Sequence, residues 1–253
     1  MGKRIAIANQ KGGVGKTTTA INLAAALARE GRRVLLVDID PQGNATSGVG
    51  VSLEEADRTI YEILVDREAP AQALHTTDVE GLDLLPSDSR LAGAEVELVP
   101  VPRREHVLRD TIEPLAGRYH FTLFDCPPSL GLLTLNGLAA ADSVLIPIQC
   151  EYYALEGLGR LLETVERVKE SLNPRLDLEG ILLTMFDSRL NLSIQVAEEA
   201  RHFFGQKVYQ TLIPRNVRLG EAPSFGKPVL VYDPHCIGAA SYISLAKEIL
   251  ENG

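Results

Sequence analysis

A glycine-rich loop near the start of the chain restricts the possible folds more than any other feature of the sequence. Residues 9–18 read Asn-Gln-Lys-Gly-Gly-Val-Gly-Lys-Thr-Thr, between a short apolar run at 4–9 and a helix-forming stretch at 17–30. Glycines allow backbone N–H groups to close around a phosphate without a Cβ in the way, and the N-terminus of a helix favours the anion. The order of strand, glycine loop and helix therefore predicts a phosphate-binding loop.

The side chains of this loop have the chemistry that bound phosphates require. Lys16 supplies positive charge for the β- and γ-phosphates, and the hydroxyl of Thr17 is a ligand for Mg²⁺. The candidate phosphate and metal contacts in this loop are Gly12, Gly13, Val14, Gly15, Lys16, Thr17 and Thr18. The general pattern has a glycine where this chain has Gln10, and Lys11 is an additional lysine whose simplest interpretation is a solvated charge.

Length and composition indicate a globular protein of a reducing compartment. The chain has 253 residues, 45% of them hydrophobic, which suits one large α/β domain or two small ones. Three scattered cysteines, Cys126, Cys150 and Cys236, make neither a disulfide framework nor a zinc site. We find no signal peptide and no apolar run of the ~20 residues that a membrane span needs. These observations predict a cytoplasmic protein.

The net charge of −9 argues against nucleic-acid binding by the whole surface, but the charge is unevenly distributed. Residues 181–253 contain seven basic and seven acidic side chains, so the entire acidic excess lies in residues 1–180. A basic face on the C-terminal third is therefore compatible with the composition.

Apolar runs alternate with helical patterns along the chain. The predicted strands lie near 4–9, 33–38, 81–86, 119–125, 143–148, 178–184 and 207–213, and the predicted helices near 17–30, 102–117, 131–141, 153–171, 191–204 and 238–251. This alternation predicts a mostly parallel, twisted sheet with helices on both faces. We predict one α/β domain of the P-loop NTPase type over residues 1–253, with its ligand at the carboxyl ends of the strands.

Acidic residues follow two of the predicted strands. Asp38 and Asp40 come at the end of the second strand, in Asp-Ile-Asp-Pro-Gln-Gly-Asn, and Asp125 ends the strand before Cys-Pro-Pro. Carboxylates at strand ends can bind Mg²⁺ or hold a water molecule. The alternative for residues 38–44 is that Asp-Pro and Gln-Gly-Asn only form a turn.

These motifs together resemble those of the ParA/MinD group of P-loop ATPases. Lys-Gly-Gly-Val-Gly-Lys-Thr at 11–17 is similar to the group's deviant Walker A motif, residues 38–44 to its switch I and Asp-Cys-Pro-Pro at 125–128 to its switch II. Residues 149–158 and 213–224 resemble the chromosome-partitioning ParA/Soj branch. The resemblance runs from about residue 3 to the C-terminus and is weakest over 51–118.

The resemblance implies roles for individual residues. Lys11 would reach the nucleotide of a partner in a sandwich dimer, Lys16 would hold phosphate, and Asp40 would orient the attacking water. Thr17, Asp40 and Asp125 would form the metal site, and Pro214, Arg215 and Asn216 would pack on the adenine. Non-specific DNA binding would use Arg189, Arg215, Arg218, Lys227 and Lys247.

The implied activity is Mg²⁺-dependent ATP hydrolysis by a homodimer that binds double-stranded DNA non-specifically. Hydrolysis would be stimulated by a ParB-type centromere-binding protein, also called Spo0J, and would release the dimer from the nucleoid. The main alternative is a MinD-like, membrane-associated division-site ATPase, which needs a basic amphipathic C-terminal helix; residues 242–253 instead predict a packed helix and no membrane binding. A metabolic P-loop enzyme and a scaffold without turnover are further alternatives.

Overall fold

A twisted sheet of seven strands forms the centre of the molecule. The computed structural model describes residues 2–52, 58–151 and 154–252, and its strands are β1 (Lys3–Ile7), β2 (Val34–Asp38), β3 (His75–Thr76), β4 (Leu82–Leu85), β5 (Phe121–Asp125), β6 (Ser143–Gln149) and β7 (Asp177–Thr184). Their spatial order is β3-β4-β2-β5-β1-β6-β7, and only the β3–β4 pair is antiparallel. The predicted mostly parallel sheet is confirmed.

Helices cover both faces of this sheet. They are α1 (Lys16–Arg29), α2 (Asn44–Gly48), α3 (Ile60–Leu64), α4 (Leu91–Glu97), α5 (Val107–Ile112), α6 (Leu132–Ala140), α7 (Ala154–Ser171), α8 (Asn191–Phe204), α9 (Val217–Glu221), α10 (Val229–Tyr232) and α11 (Ile237–Asn252). Ile5 and Ile7 of β1 enter a core with α1 and α11, whereas Ala6 of β1 and Ala8, just after it, enter a second core with α3 to α8. Successive strand residues point to opposite faces, so two cores flank one sheet.

The register of the strands brings the predicted site residues to one edge. Asp38 of β2 lies opposite Asp125 of β5, and Asp125 lies opposite Ile7 of β1. The glycine loop follows Ala8 directly after β1, so it begins beside Asp125, with Asp38 one strand further away. This is the carboxyl edge at which parallel α/β sheets bind ligands.

Two predicted elements differ from the structure. The strand predicted at 207–213 is wrong: this part of the chain makes isolated bridges, of Val208 with Ile181 in β7 and of Pro214 with Phe186 just after β7. Between them, the Glu248 carboxylate accepts the N–H groups of Gln210 (2.7 Å) and Thr211 (3.0 Å). The helix predicted over 102–117 is broken into α5 and two short 3-10 turns, one of which contains Pro114. Proline removes a helical hydrogen bond and clashes with the preceding turn.

The C-terminal helix is packed, as its sequence predicts. In α11, Tyr242, Leu245 and Ile249 are almost completely buried in the core shared with α1, and the hydroxyls of Tyr242 and Thr19 are 3.2 Å apart. None of the helices in the described ranges combines the length and apolarity that a membrane crossing requires.

Candidate nucleotide site

The glycine loop has a backbone conformation that other residues adopt with difficulty. Gly13 and Gly15 have φ values of +75° and +86°, in the left-handed region that favours glycine. A Cβ on Gly12 would have no neighbour within 4 Å, so the loop is open to solvent at this point. The loop therefore has an open space above it, and α1 begins at Lys16 immediately behind it.

The side chain of Lys16 is folded over the loop. Its ammonium donates a hydrogen bond to the carbonyl of Lys11 at 3.0 Å, and the residue is only 7% exposed. Burial lowers the pKa of Lys16, while the nearby carboxyls of Asp125 and Asp40 act in the opposite direction. The charge of Lys16 is thus placed between the loop backbone and the acidic strand ends.

Two polar residues outside the predicted site brace the loop. The amide of Asn9 donates to the Pro147 carbonyl (2.7 Å) and its oxygen accepts the N–H of Lys11 (3.0 Å). The hydroxyl of Thr184, at the end of β7, donates to the carbonyl of Val14 (2.9 Å). The sequence analysis assigned no role to either residue, although Asn9 ends the predicted strand at 4–9 and Thr184 ends the predicted strand at 178–184.

Asp125 is a buried carboxylate without a hydrogen bond. It is completely buried at the end of β5, and neither of its oxygens has a hydrogen-bond partner among the described residues. Burial, and then the charge of Asp38, raise the pKa of Asp125 well above its usual range; the Thr17 hydroxyl lies close enough to lower it but without hydrogen-bond geometry. An unpaired buried carboxylate beside a hydroxyl fits a divalent cation held directly or through water.

The two carboxylates of the 38–44 loop have different environments. Asp38 is completely buried; it accepts the N–H and hydroxyl of Thr46, both at 2.8 Å, and the N–H of Asp40 at 3.1 Å. Burial raises the pKa of Asp38 to about 6 although these hydrogen bonds oppose the shift. Asp40 is 7% exposed and one of its oxygens accepts the N–H of Gln42 at 3.0 Å. Asp38 therefore supports the loop, and Asp40 is the carboxylate that remains at the site.

Residues after Asp125 form a compact loop. Cys126 is completely buried, and burial raises the pKa of its thiol well above the usual range, so it is an inert core side chain. A Cβ on Gly131 would collide with the carboxylate of Glu95, so this glycine provides room for Glu95. Gly131 directly precedes α6 and has a φ of −76°.

A cavity of about 420 Å³ lies beyond the end of β7. Its lining residues are Phe186, Asp187, Ser188, Arg189, Leu212, Pro214, Arg215, Ile237 and Ser241. Pro214 and Arg215 both pair with Phe186, which lies two residues after Thr184 in the chain. Thr184 in turn contacts Val14 of the glycine loop. Asn216 does not line this cavity; its side-chain oxygen caps α9 by accepting the N–H of Arg218 at 2.9 Å.

The five candidate DNA contacts are all exposed but do not form one cluster. Arg189 is held by Asp187 (2.9 and 2.7 Å), and Arg218 by Glu221 (2.8 Å) and Asp233 (3.2 Å). Lys227 lies in the segment between α9 and α10. Lys247 is placed apart from the others, because it lines a cavity at the start of β7.

Lys11 forms an ion pair at the surface. Its ammonium lies 2.7 Å from the carboxylate of Glu151, and both side chains are about half exposed, at 49% and 46%. Its backbone carbonyl is the group that holds Lys16. Residues 152 and 153 of the segment 149–158 lie outside the described part of the chain.

Fold and site together define a P-loop nucleotide-binding protein of the α/β class. A family model described as an AAA domain matches residues 2–178. The chain is 58% identical to sporulation initiation inhibitor protein Soj of Bacillus subtilis, over 100% of both chains, and 57% identical to chromosome partitioning protein ParA of Myxococcus xanthus, over 99% of this chain and 89% of that one. The chain belongs to the ParA/Soj family of chromosome-partitioning ATPases.

A solved structure extends the comparison to a bound nucleotide. The fold is similar to that of cobyrinic acid a,c-diamide synthase from Mycobacterium smegmatis with bound ADP and magnesium, with a TM-score of 0.88 and 40% identity over 100% of this chain and 95% of that one.

Proposed function

We propose that this protein is an ATP-hydrolysing partitioning protein whose ATP-bound dimer binds DNA non-specifically and leaves it after hydrolysis. Residues 1–253 act as one ATPase domain in this proposal. The observation that carries it is the arrangement at one sheet edge of the glycine loop, the buried Lys16, and Asp125, whose carboxyl oxygens have no hydrogen bond among the described residues. Family membership adds the partitioning role.

The proposed chemistry uses the residues of that edge. The loop N–H groups and Lys16 bind the phosphates of ATP, and Thr17, Asp40 and Asp125 hold Mg²⁺, as the ADP and magnesium in the similar structure support. When bound, Mg²⁺ neutralises charge on the phosphate oxygens. Asp40 orients the attacking water, and Pro214 and Arg215 pack on the adenine. The side-chain oxygen of Asn216 already accepts the N–H of Arg218, so its amide N–H groups are the ones that donate to the edge of the base.

The additional lysine supports a dimer-dependent site. Lys11 is not required to shape the loop, because its side chain points to Glu151 at the surface while only its backbone contacts Lys16. An exposed ion pair contributes about 0–1 kcal/mol, so Lys11 can exchange Glu151 for a phosphate of a second copy at little cost. We propose that this exchange accompanies formation of the ATP-bound dimer.

Lys11→Ala tests the dimer directly. Light scattering after gel filtration should give a dimer for the unchanged protein with a non-hydrolysable ATP analogue and a monomer with ADP. Lys11→Ala should remain monomeric with both nucleotides, because the contact with the partner's phosphate is lost. Glu151→Ala is the matched control, since it breaks the same ion pair but keeps the lysine and should still dimerise. Equal dimerisation of Lys11→Ala would contradict the proposed role.

The charge distribution favours DNA binding by a dimer over binding by a monomer. The protein has a net charge of −9, and Arg189 and Arg218 are each paired with acids. Phosphates must compete with these carboxylates, so each copy contributes weak, salt-sensitive contacts. Two copies on one duplex gain from the high effective concentration of the second site. Non-specific binding and location on the nucleoid follow from this proposal.

Arg189→Glu and Arg218→Glu should weaken DNA binding and leave ATP hydrolysis without DNA unchanged. Each reversal removes a phosphate contact and adds repulsion, so we expect a loss of about tenfold or more in affinity at moderate salt. Fluorescence anisotropy with a random duplex measures the effect. Lys247→Glu is the comparison. Lys247, in α11, lines a cavity at the start of β7, apart from the two arginines, so its reversal should reduce the affinity for DNA less. Unchanged affinity in both arginine variants would rule out this face.

Two alternatives are less well supported. A MinD-like membrane function requires a lipid-facing C-terminal helix, whereas α11 buries Tyr242, Leu245 and Ile249 against α1. Diamide synthesis is supported by the likeness to solved structures of cobyrinic acid a,c-diamide synthase at 39–40% identity, whereas the partitioning relatives are 57–58% identical over nearly the whole chain. We propose a ParB-type, Spo0J-like protein as the stimulating partner, in keeping with this family.

A further inference from the structure

Ser87 holds the backbone of the residue proposed to orient water. It follows β4 and is completely buried. Its hydroxyl donates a hydrogen bond to the carbonyl oxygen of Asp40 at 2.8 Å, and its N–H donates to the hydroxyl oxygen of Thr46 at 2.9 Å. Ser87 is 47 residues from Asp40 in sequence and lies outside every motif of the site.

The contacts of Ser87 continue into the strand end. Thr46 donates both its hydroxyl and its N–H to the same oxygen of Asp38, each at 2.8 Å. The other oxygen of Asp38 accepts the N–H of Asp40 at 3.1 Å. The backbone of Asp40 is therefore held on both sides, at its N–H by Asp38 and at its carbonyl by Ser87 and the N–H of Gly43.

The segment that carries Ser87 is itself anchored. The Pro86 carbonyl accepts the N–H of Ile60 at 2.8 Å, and Asp88 accepts the hydroxyl of Thr59 at 3.1 Å and a guanidinium N–H of Arg90 at 2.6 Å. Ser87 is consequently tied to the start of α3 and to the residue before α4. This gives part of the region 51–118, which has no site motif, a physical connection to the site.

We infer that Ser87 is a positioning residue for ATP hydrolysis, acting through Asp40; the inference rests on the proposed function. The side chain of Asp40 has one hydrogen bond within the described ranges, to the N–H of Gln42 in its own loop, so its placement depends on how firmly its backbone is held. A shift of about 1 Å in a reacting group can cost up to ~100-fold in rate. Binding of ATP depends on the glycine loop and Lys16, which Ser87 does not contact.

Ser87→Ala separates these two effects. Removing the hydroxyl should lower the single-turnover rate of ATP hydrolysis about tenfold, while the affinity for ATP stays within about twofold, because the groups proposed to hold the phosphates, the glycine loop and Lys16, have no hydrogen bond to Ser87. The matched control is Ser143→Ala, which removes another buried hydroxyl, bonded to Glu179 at 2.6 Å, at the opposite end of the sheet. It should leave the rate unchanged. If Ser87→Ala does not fold, Ser87→Cys keeps the volume with a much weaker donor and should show the same split.

A double-mutant cycle with Asp40→Ala tests the route of the effect. If Ser87 acts through Asp40, Ser87→Ala should not slow the residual hydrolysis of Asp40→Ala any further. Equal rates for Ser87→Ala and the unchanged protein, equal losses in rate and ATP affinity, or additive losses in the double mutant would each overturn the inference. Normal hydrolysis by Asp40→Ala would instead refute the proposed role of Asp40, and absence of ATP hydrolysis by the unchanged protein would refute the proposed function, so these failures are distinguishable from one another.

Discussion

Lys16→Ala should lose ATP binding, and this is one of the two largest effects that we expect. Lys16 is almost completely buried, and its ammonium is held over the loop by the carbonyl of Lys11 at 3.0 Å. Truncating one partner of a buried charge pair costs about 2–5 kcal/mol, which corresponds to a loss of roughly 30-fold to several thousand-fold in affinity. Isothermal titration calorimetry with ATP and Mg²⁺ measures it.

The control for this variant is Lys207→Ala. Lys207 is an exposed lysine that contacts the start of β7, where its ammonium lies 2.8 Å from the Leu178 carbonyl. It should bind ATP like the unchanged protein. Should Lys16→Ala retain full affinity for ATP, the assignment of residues 9–18 as the nucleotide site would be wrong.

Asp40→Ala should bind ATP and fail to hydrolyse it, which is the second large effect. The carboxylate of Asp40 accepts one hydrogen bond among the described residues, from the N–H of Gln42. The carboxylate of Asp38, by contrast, accepts three hydrogen bonds, from the N–H of Asp40 and from the N–H and hydroxyl of Thr46. Loss of a positioned group that accepts a proton typically costs about 10²–10⁴-fold in rate. Phosphate release should therefore be nearly abolished, and ATP-bound dimers should accumulate in light scattering.

Asp78→Ala is the control for the loss of a carboxylate. Asp78 is exposed in the turn before β4, at the other end of the sheet, so its removal should leave turnover intact. Turnover at the normal rate in Asp40→Ala would remove Asp40 from the reaction. Loss of ATP affinity equal to the loss of rate would assign Asp40 to binding.

The parts of the site that could be predicted from sequence are local in the chain. The glycine loop, Lys16 and Thr17 are consecutive, and Asp38 and Asp125 end apolar runs that form β2 and β5 as expected. Parallel strands place their carboxyl ends at one edge of the sheet. Once the fold class was predicted, the glycine loop and the two aspartates were therefore expected at the same edge. Register then set Asp38 directly opposite Asp125.

The parts that could not be predicted depend on contacts between distant segments. Thr184 braces Val14 from 170 residues away, and Ser87 holds Asp40 from 47 residues away. Single polar residues of this kind have no pattern of spacing in the sequence. The wrong strand at 207–213 has the same origin, because Glu248 takes the N–H groups that a strand would have donated.

The most direct test of the central claim is DNA binding by the Asp40→Ala protein, measured with ATP and with ADP over a salt series on a random duplex. We expect this variant to bind DNA with ATP and to bind little DNA with ADP. Its affinity for DNA should fall steeply as salt increases, since the contacts are to phosphates. Absence of DNA binding in both states, with ATP still bound, would contradict the central claim, and binding to liposomes would then be the next measurement.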